Sequence, residues 1–139
     1  MAEPSPGYAI VNLREVEDSA PRFGLAPGLE SRFARSALGA EKSGVSFFRL
    51  QPGYRIPFGH RHAEQEEVYV VVSGSARVKL DDEVHELRTW DAVRIAPPTM
   101  RGLEAGPEGA EVLAFGAGPP RDADTDRAWW PADEAAGGG

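Results

Sequence analysis

His60 and His62 stand two residues apart, and Glu67 follows five residues later within PFGHRHAEQEEVYVVVSG. In an extended segment residues i and i+2 project to the same side, so the two imidazoles converge without help from distant sequence. Glu67 opens the run EVYVVV and shares the face of Tyr69 and Val71. If that face is an interior, its carboxylate points toward the imidazoles. Two histidines and one carboxylate on one side of a metal form the facial triad of non-haem iron sites, and zinc accepts the same set. The ordinary alternative is a surface loop, since a lone HxH is frequent there and Glu64, Gln65 and Glu66 read as a solvated turn. On HxH alone the surface reading is the commoner one.

The elements that must position these residues are strands. From Gly44 onward GVSFFRL, EVYVVV, ARVKL, EVHEL, DAVRIA and EVLAF are runs of strand length, separated by turn residues. Ser73-Gly74 and Asp81-Asp82 each lie between two runs, which predicts two consecutive antiparallel hairpins and hence a sandwich or barrel. In ARVKL, Ala76, Val78 and Leu80 share one face while Arg77 and Lys79 take the other, giving a wet side. In EVYVVV both faces are largely apolar. Val68, Val70 and Val72 therefore call for cover, from residues 1–43 or from a second chain.

Residues 1–43 read as edge strands and loops wrapping a barrel over 44–116, and 117–139 as a tail rich in Pro, Gly and acids. That composition argues against a strand in the tail, whose end is expected to be disordered, although Trp129 and Trp130 offer apolar surface for docking. Phe47, Phe48, Phe58 and Phe115 read as core or pocket wall, His85 as a surface residue and Trp90 as packing.

A chain of 139 residues has room for one core, and 16 Gly with 12 Pro favour turns over long helices. Its net charge of -7 opposes a phosphate backbone, so a nucleic-acid partner is not expected. No apolar run reaches membrane-spanning length and the first residues do not resemble a signal peptide, so the expected compartment is the cytoplasm. Zero Cys removes disulfides and thiolate ligands, leaving imidazole, carboxylate and water for any metal.

The segment PGYRIPFGHRHAEQEEVYVVVSG resembles the first conserved motif of the cupin superfamily, with His60, His62, Glu67 and Gly74 matching in order and spacing. WDAVRIAPPTMRG is similar to the second motif across Asp91, Val93, Ile95 and Pro97. The resemblance implies an all-β, jelly-roll-like barrel with little helix, both motifs lining one pocket, and often a homodimer. It also implies a divalent metal (Fe, Zn, Mn or Ni) on His60, His62 and Glu67. The departure is at Arg101, which stands where the family carries its fourth ligand, a His; Trp90 and Pro98 replace expected glycines. A guanidinium has no lone pair to donate. Placed ~5 Å from a divalent ion it would oppose the ion by about 7 kcal/mol at an effective dielectric near 20.

Two functions stay open from these residues. The first is a small-molecule-processing protein with a metal on the triad, an oxygenase or isomerase of an anionic substrate, in which Arg101 holds the anion and Tyr69 donates a hydrogen bond. The second is a metal-free binder of a small carboxylate or sugar, in which Arg101 pairs with Glu67.

Overall fold

The structure is a computed structural model that describes residues 7–130. It is mostly strand: β1 (Leu29–Phe33), β2 (Ser43–Leu50), β3 (Gly59–His62), β4 (Glu66–Leu80), β5 (Glu83–Leu87), β6 (Ala92–Ile95), β7 (Arg101–Ala117) and β8 (Ala123–Asp126). Helix is limited to 3-10 turns at Leu13–Glu15 and Ala20–Phe23 and one short α-helix, α1 (Arg35–Leu38). The all-β architecture expected from the strand-length runs is present, and its sheet curls in the jelly-roll-like manner that the resemblance implies.

The long strand β7 is the hub. Its half Ala110–Ala117 lies between β2 and β4, and its half Arg101–Ala105 pairs with β4 on one side and, at Arg101↔His60, with β3 on the other. All of these pairings are antiparallel. The core is the inward face of the bent pair β4 and β7, where Tyr69, Val71, Val78, Leu103 and Val112 are buried.

EVYVVV and ARVKL are not two arms of a hairpin, as the Ser73-Gly74 turn signal predicts, but one 15-residue strand. Register shifts between Val71 and Ser73 and between Gly74 and Ala76 place a bulge there instead. Gly74 has φ +72, and a Cβ on it would lie 2.0 Å from the Gly109 carbonyl oxygen. A positive-φ glycine serves a bulge as readily as a turn, and sequence alone does not separate the two. The bulge also switches the inward parity: Glu67, Tyr69 and Val71 face in before it, Ala76 and Val78 after it. The second predicted hairpin is present, with β5 folding back on β4 from Lys79↔Val84 to Ala76↔Leu87.

The wet side expected for ARVKL is covered. Lys79 is buried because Trp129 lies over it, with Nζ 3.8 Å from the ring centroid and donating to the Trp129 carbonyl at 2.8 Å. Beside it Glu104 accepts from Arg55 Nε at 2.8 Å and Arg77 Nη1 at 2.9 Å. The outer face at the other end of β4 is different. Val68 there adjoins Phe115, which is 42% exposed and so not part of the core, and with Val45 and Leu38 they line a groove of about 410 Å³. Trp90 and His85 are exposed. No helix among the described residues is long and apolar enough to cross a membrane.

Gly74→Ala tests the bulge against Gly24→Ala, since Gly24 has nearly the same φ, +71, with nothing within 4 Å of its added Cβ. Chemical denaturation should show a loss of about 1–2 kcal/mol at position 24, from backbone conformation alone. At position 74 a further ~1–3 kcal/mol is expected from overpacking against the Gly109 carbonyl. Equal losses would mean that β7 yields at Gly109 without cost.

Candidate functional site

The short strand β3 presents His60 and His62 on one side, and the turn Ala63–Gln65 returns the chain so that Glu67 enters β4 facing them. The imidazole rings stand edge to face, 5.1 Å between centroids. His60 Nε2 is 3.5 Å and His62 Nε2 is 3.2 Å from Glu67 Oε1, and one ligand atom from each of the three residues lies within 4.8 Å of the others. Ligands roughly 2.1 Å from a common ion are separated by about 3–3.5 Å, so both imidazole–carboxylate separations match those of a metal site.

One nitrogen in this group is left over. His62 Nε2 is buried and makes no hydrogen bond, although Glu67 Oε1 lies 3.2 Å away. Its sister Nδ1 is engaged by Asp122 Oδ1 at 2.7 Å. A histidine pinned through one nitrogen to a carboxylate, with the other turned inward, is the arrangement by which metal-ligating imidazoles are oriented. The donor set therefore fits a divalent ion.

Arg101 sits at the start of β7, opposite His60 and Leu80 in register, and is 0% exposed. Its Nη1 donates to Glu67 Oε1 at 2.6 Å, Nε donates to the Thr99 carbonyl, and Nη2 donates to the carbonyls of Ala96, Pro97 and Thr99. The guanidinium thus lies inside, not at the mouth. Tyr69 is also buried and donates its hydroxyl to the same Glu67 oxygen at 3.3 Å. The structure brings all five residues singled out in the sequence to one place, with Glu67 Oε1 at the centre. Solvent reaches the group on the His60 side, where the side chain is 27% exposed.

Electrostatics follow from this crowding. Burial alone would raise the Glu67 carboxyl, but the nearby imidazoles of His60 and His62 outweigh it and hold it well below the usual carboxylate range. Burial likewise opposes protonation of His62, yet the carboxylates of Glu67 and Asp122 prevail and raise it above its ordinary value. For Asp122 burial is again the opposing effect. The backbone N–H of Glu64, the His62 ring and the N–H of Gln65 bring it down to about 2.

Asp122 is the site residue that sequence reasoning passed over, because it lies in the tail where Pro, Gly and acids argued against a strand. That expectation is corrected: residues 123–126 form β8, which pairs with β3 from Gly59↔Asp126 to His62↔Ala123. The signal was the spacing of Asp122, Asp124 and Asp126, an acid at every second residue, which is strand periodicity with a solvated face.

Comparison with known proteins places this geometry. No curated protein matches the chain. Among solved structures, a cupin protein from Bacteroides fragilis is 23% identical over 84% of this chain and 89% of its own, with TM-score 0.67. A sugar phosphate isomerase of the cupin superfamily from Silicibacter pomeroyi is 22% identical over 81% and 77%, TM-score 0.62. A deletion mutant of oxalate decarboxylase from Bacillus subtilis is 22% identical, covering 91% of this chain and 33% of that longer one, TM-score 0.70. At these identities the likeness is one of fold. The sequence model of the cupin domain matches residues 46–115, which span half of the chain and hold the triad and Arg101, and the chain belongs to the cupin family.

Proposed function

We propose that this chain is a small-molecule-processing cupin that holds a divalent transition metal, Fe, Zn, Mn or Ni, on His60, His62 and Glu67. The observation that carries the reading is the buried, partnerless His62 Nε2 facing Glu67. A polar nitrogen kept from water without a partner costs about 1–3 kcal/mol, and an ion at this point would remove that cost. When bound, the metal supplies a Lewis acid and open positions for water and substrate. Similar folds in a sugar phosphate isomerase and oxalate decarboxylase support a small, oxygen-rich substrate. Substrate would enter beside His60. Arg101 bears on it through Glu67, and an anion reaching the guanidinium must first displace that carboxylate. A protein without cysteine suits the reducing cytoplasm.

A second reading rests on the 2.6 Å contact between Arg101 and Glu67, which neutralises the carboxylate with no ion at hand. In that case the pocket is metal-free and binds a small carboxylate or sugar. Elemental analysis of untagged protein and calorimetry with Zn²⁺ separate the two. Near-stoichiometric uptake, lost in His60→Ala/His62→Ala, supports the metal site; a clean apo protein that takes up no Zn²⁺ supports the second reading. Arg101→His should bind Zn²⁺ at least tenfold more tightly, because it removes an opposing charge and adds a ligand. The same change should lower the stability of the apo protein by about 3–5 kcal/mol, since it leaves Glu67 and three carbonyls without their buried partner.

The raised pKa of His62 gives a pH signature with a definite sign. In the apo protein the stabilisation from protonated His62 is complete below its unfolded value of about 6.5 and is lost as pH rises through the higher folded value. Metal binding needs the neutral imidazole, so it strengthens over the same window. Relative to His62→Gln, thermal melts should show apo stability falling from about pH 6 upward. With Zn²⁺ in excess stability should rise instead. A metal-free protein would show the first trend under both conditions.

We also propose that the groove at Val68 and Phe115 is covered by a second copy of the chain, giving a homodimer. The half-buried Val68, Val70 and Val72 and the exposed Phe115 leave an apolar outer face that the described N-terminal segment does not close. Light scattering should give twice the chain mass of 15.0 kDa, reduced to the monomer in Phe115→Glu. A wild-type monomer at micromolar concentration would overturn this.

A further inference from the structure

The segment that follows β7 does not simply leave the barrel. After Arg121, at φ +62, it lays β8 along β3 and then sets Trp129 and Trp130 on the outer face. Trp129 lies over Gly59 and Gly102, where a Cβ would come within 2.4 and 2.9 Å of its ring. Trp130 Nε1 donates to the Ile56 carbonyl at 2.8 Å, and the Arg55 guanidinium stacks 4.1 Å from its ring centroid. Between these anchors and β7 stands Asp122. Its Oδ2 accepts the backbone N–H groups of Glu64 at 2.8 Å and Gln65 at 2.9 Å, and its own carbonyl accepts from Ala63 at 3.2 Å. A carboxylate held through one oxygen by two backbone donors has little freedom to rotate. Its other oxygen, Oδ1, is therefore a fixed acceptor 2.7 Å from His62 Nδ1.

From this geometry we infer that Asp122, delivered by the C-terminal strap, is a positioning residue that dictates which nitrogen of His62 carries the proton. An ionised carboxylate only accepts hydrogen bonds, so the Nδ1 that faces it must be the protonated nitrogen of the neutral ring. The lone pair is then left on Nε2, the buried atom beside Glu67 that has no partner. Without Asp122 the neutral ring is free to take the other tautomer, whose Nε2–H has no lone pair for a metal and can donate to the Glu67 carboxylate. The consequence for metal affinity rests on the reading of the triad as a metal site. The tautomer itself does not.

The test is Asp122→Asn, examined with the wild type by proton–nitrogen correlation spectra of 15N-histidine-labelled protein at a pH where the imidazoles are neutral, and by Zn²⁺ calorimetry. An Asn side chain that keeps its oxygen on the two backbone donors turns its NH2 group toward Nδ1, which then must accept. Wild-type His62 should be the Nδ1–H tautomer, and the variant should move to Nε2–H. The exposed His85 serves as an unshifted control. Zn²⁺ affinity should fall about tenfold to a hundredfold, the usual effect of losing the carboxylate partner of a ligating histidine. A wild-type His62 in the Nε2–H form overturns the inference, and that result needs no variant to fold. Unchanged tautomer and unchanged Zn²⁺ affinity in the variant also overturn it and leave the metal site standing, with Asp122 reduced to capping the turn. A tautomer switch in a protein that binds no Zn²⁺ upholds the inference and removes only the metal reading.

Discussion

A guanidinium with no exposure to water is costly, by several kcal/mol per ion even after relaxation, and the interior around Arg101 is organised around meeting that cost. Arg101 is surrounded by acceptors drawn from two directions. The turn Ala96–Thr99, closed by the Thr99 N–H on the Ala96 carbonyl at 3.1 Å, curls so that three of its carbonyls point inward at the charge. Glu67 comes from β4 to supply the negative partner. Because Arg101 also faces Leu80 and His60 in the sheet register, one residue ties together the ends of β3, β4 and β7. Glu67 Oε1 is then a fixed point, held by Arg101 and Tyr69, around which two imidazoles are gathered. The interaction that preorganises the triad is thus the same one that competes with a cation for its carboxylate.

How much of this was legible in the sequence depended on whether the information was local. The i, i+2 relation of His60 and His62 and the parity that puts Glu67 with Tyr69 are properties of one strand each, and they carried over unchanged. Arg101 could be recognised as misplaced for a ligand from its chemistry alone, yet its direction was not readable. The carbonyls that accept it belong to a turn whose shape only the folded chain defines. Gly74 marks the boundary between the two cases: the need for positive φ was visible, but whether the chain reverses or only bends there is decided by the partner strand, which bends with it at Gly109. The tail failed for a related reason. Its polar composition argues against a buried strand, whereas β8 is an edge strand whose side chains are mostly exposed, where acids are acceptable.

Two carboxylate–donor pairs act on the triad in opposite senses. Asp122 engages His62 from behind and makes its inward nitrogen a better donor, which favours an ion. Arg101 occupies Glu67 and places a positive charge beside the same point, which disfavours one. In a site built of ligands alone, loss of the ion leaves a buried carboxylate uncompensated, and metal binding becomes part of the folding free energy. Here Arg101 already pairs with the carboxylate at 2.6 Å, and one imidazole nitrogen is left without a partner. A cation at the triad would thus meet a Glu67 oxygen that already accepts from a guanidinium, so the two positive charges would share one carboxylate.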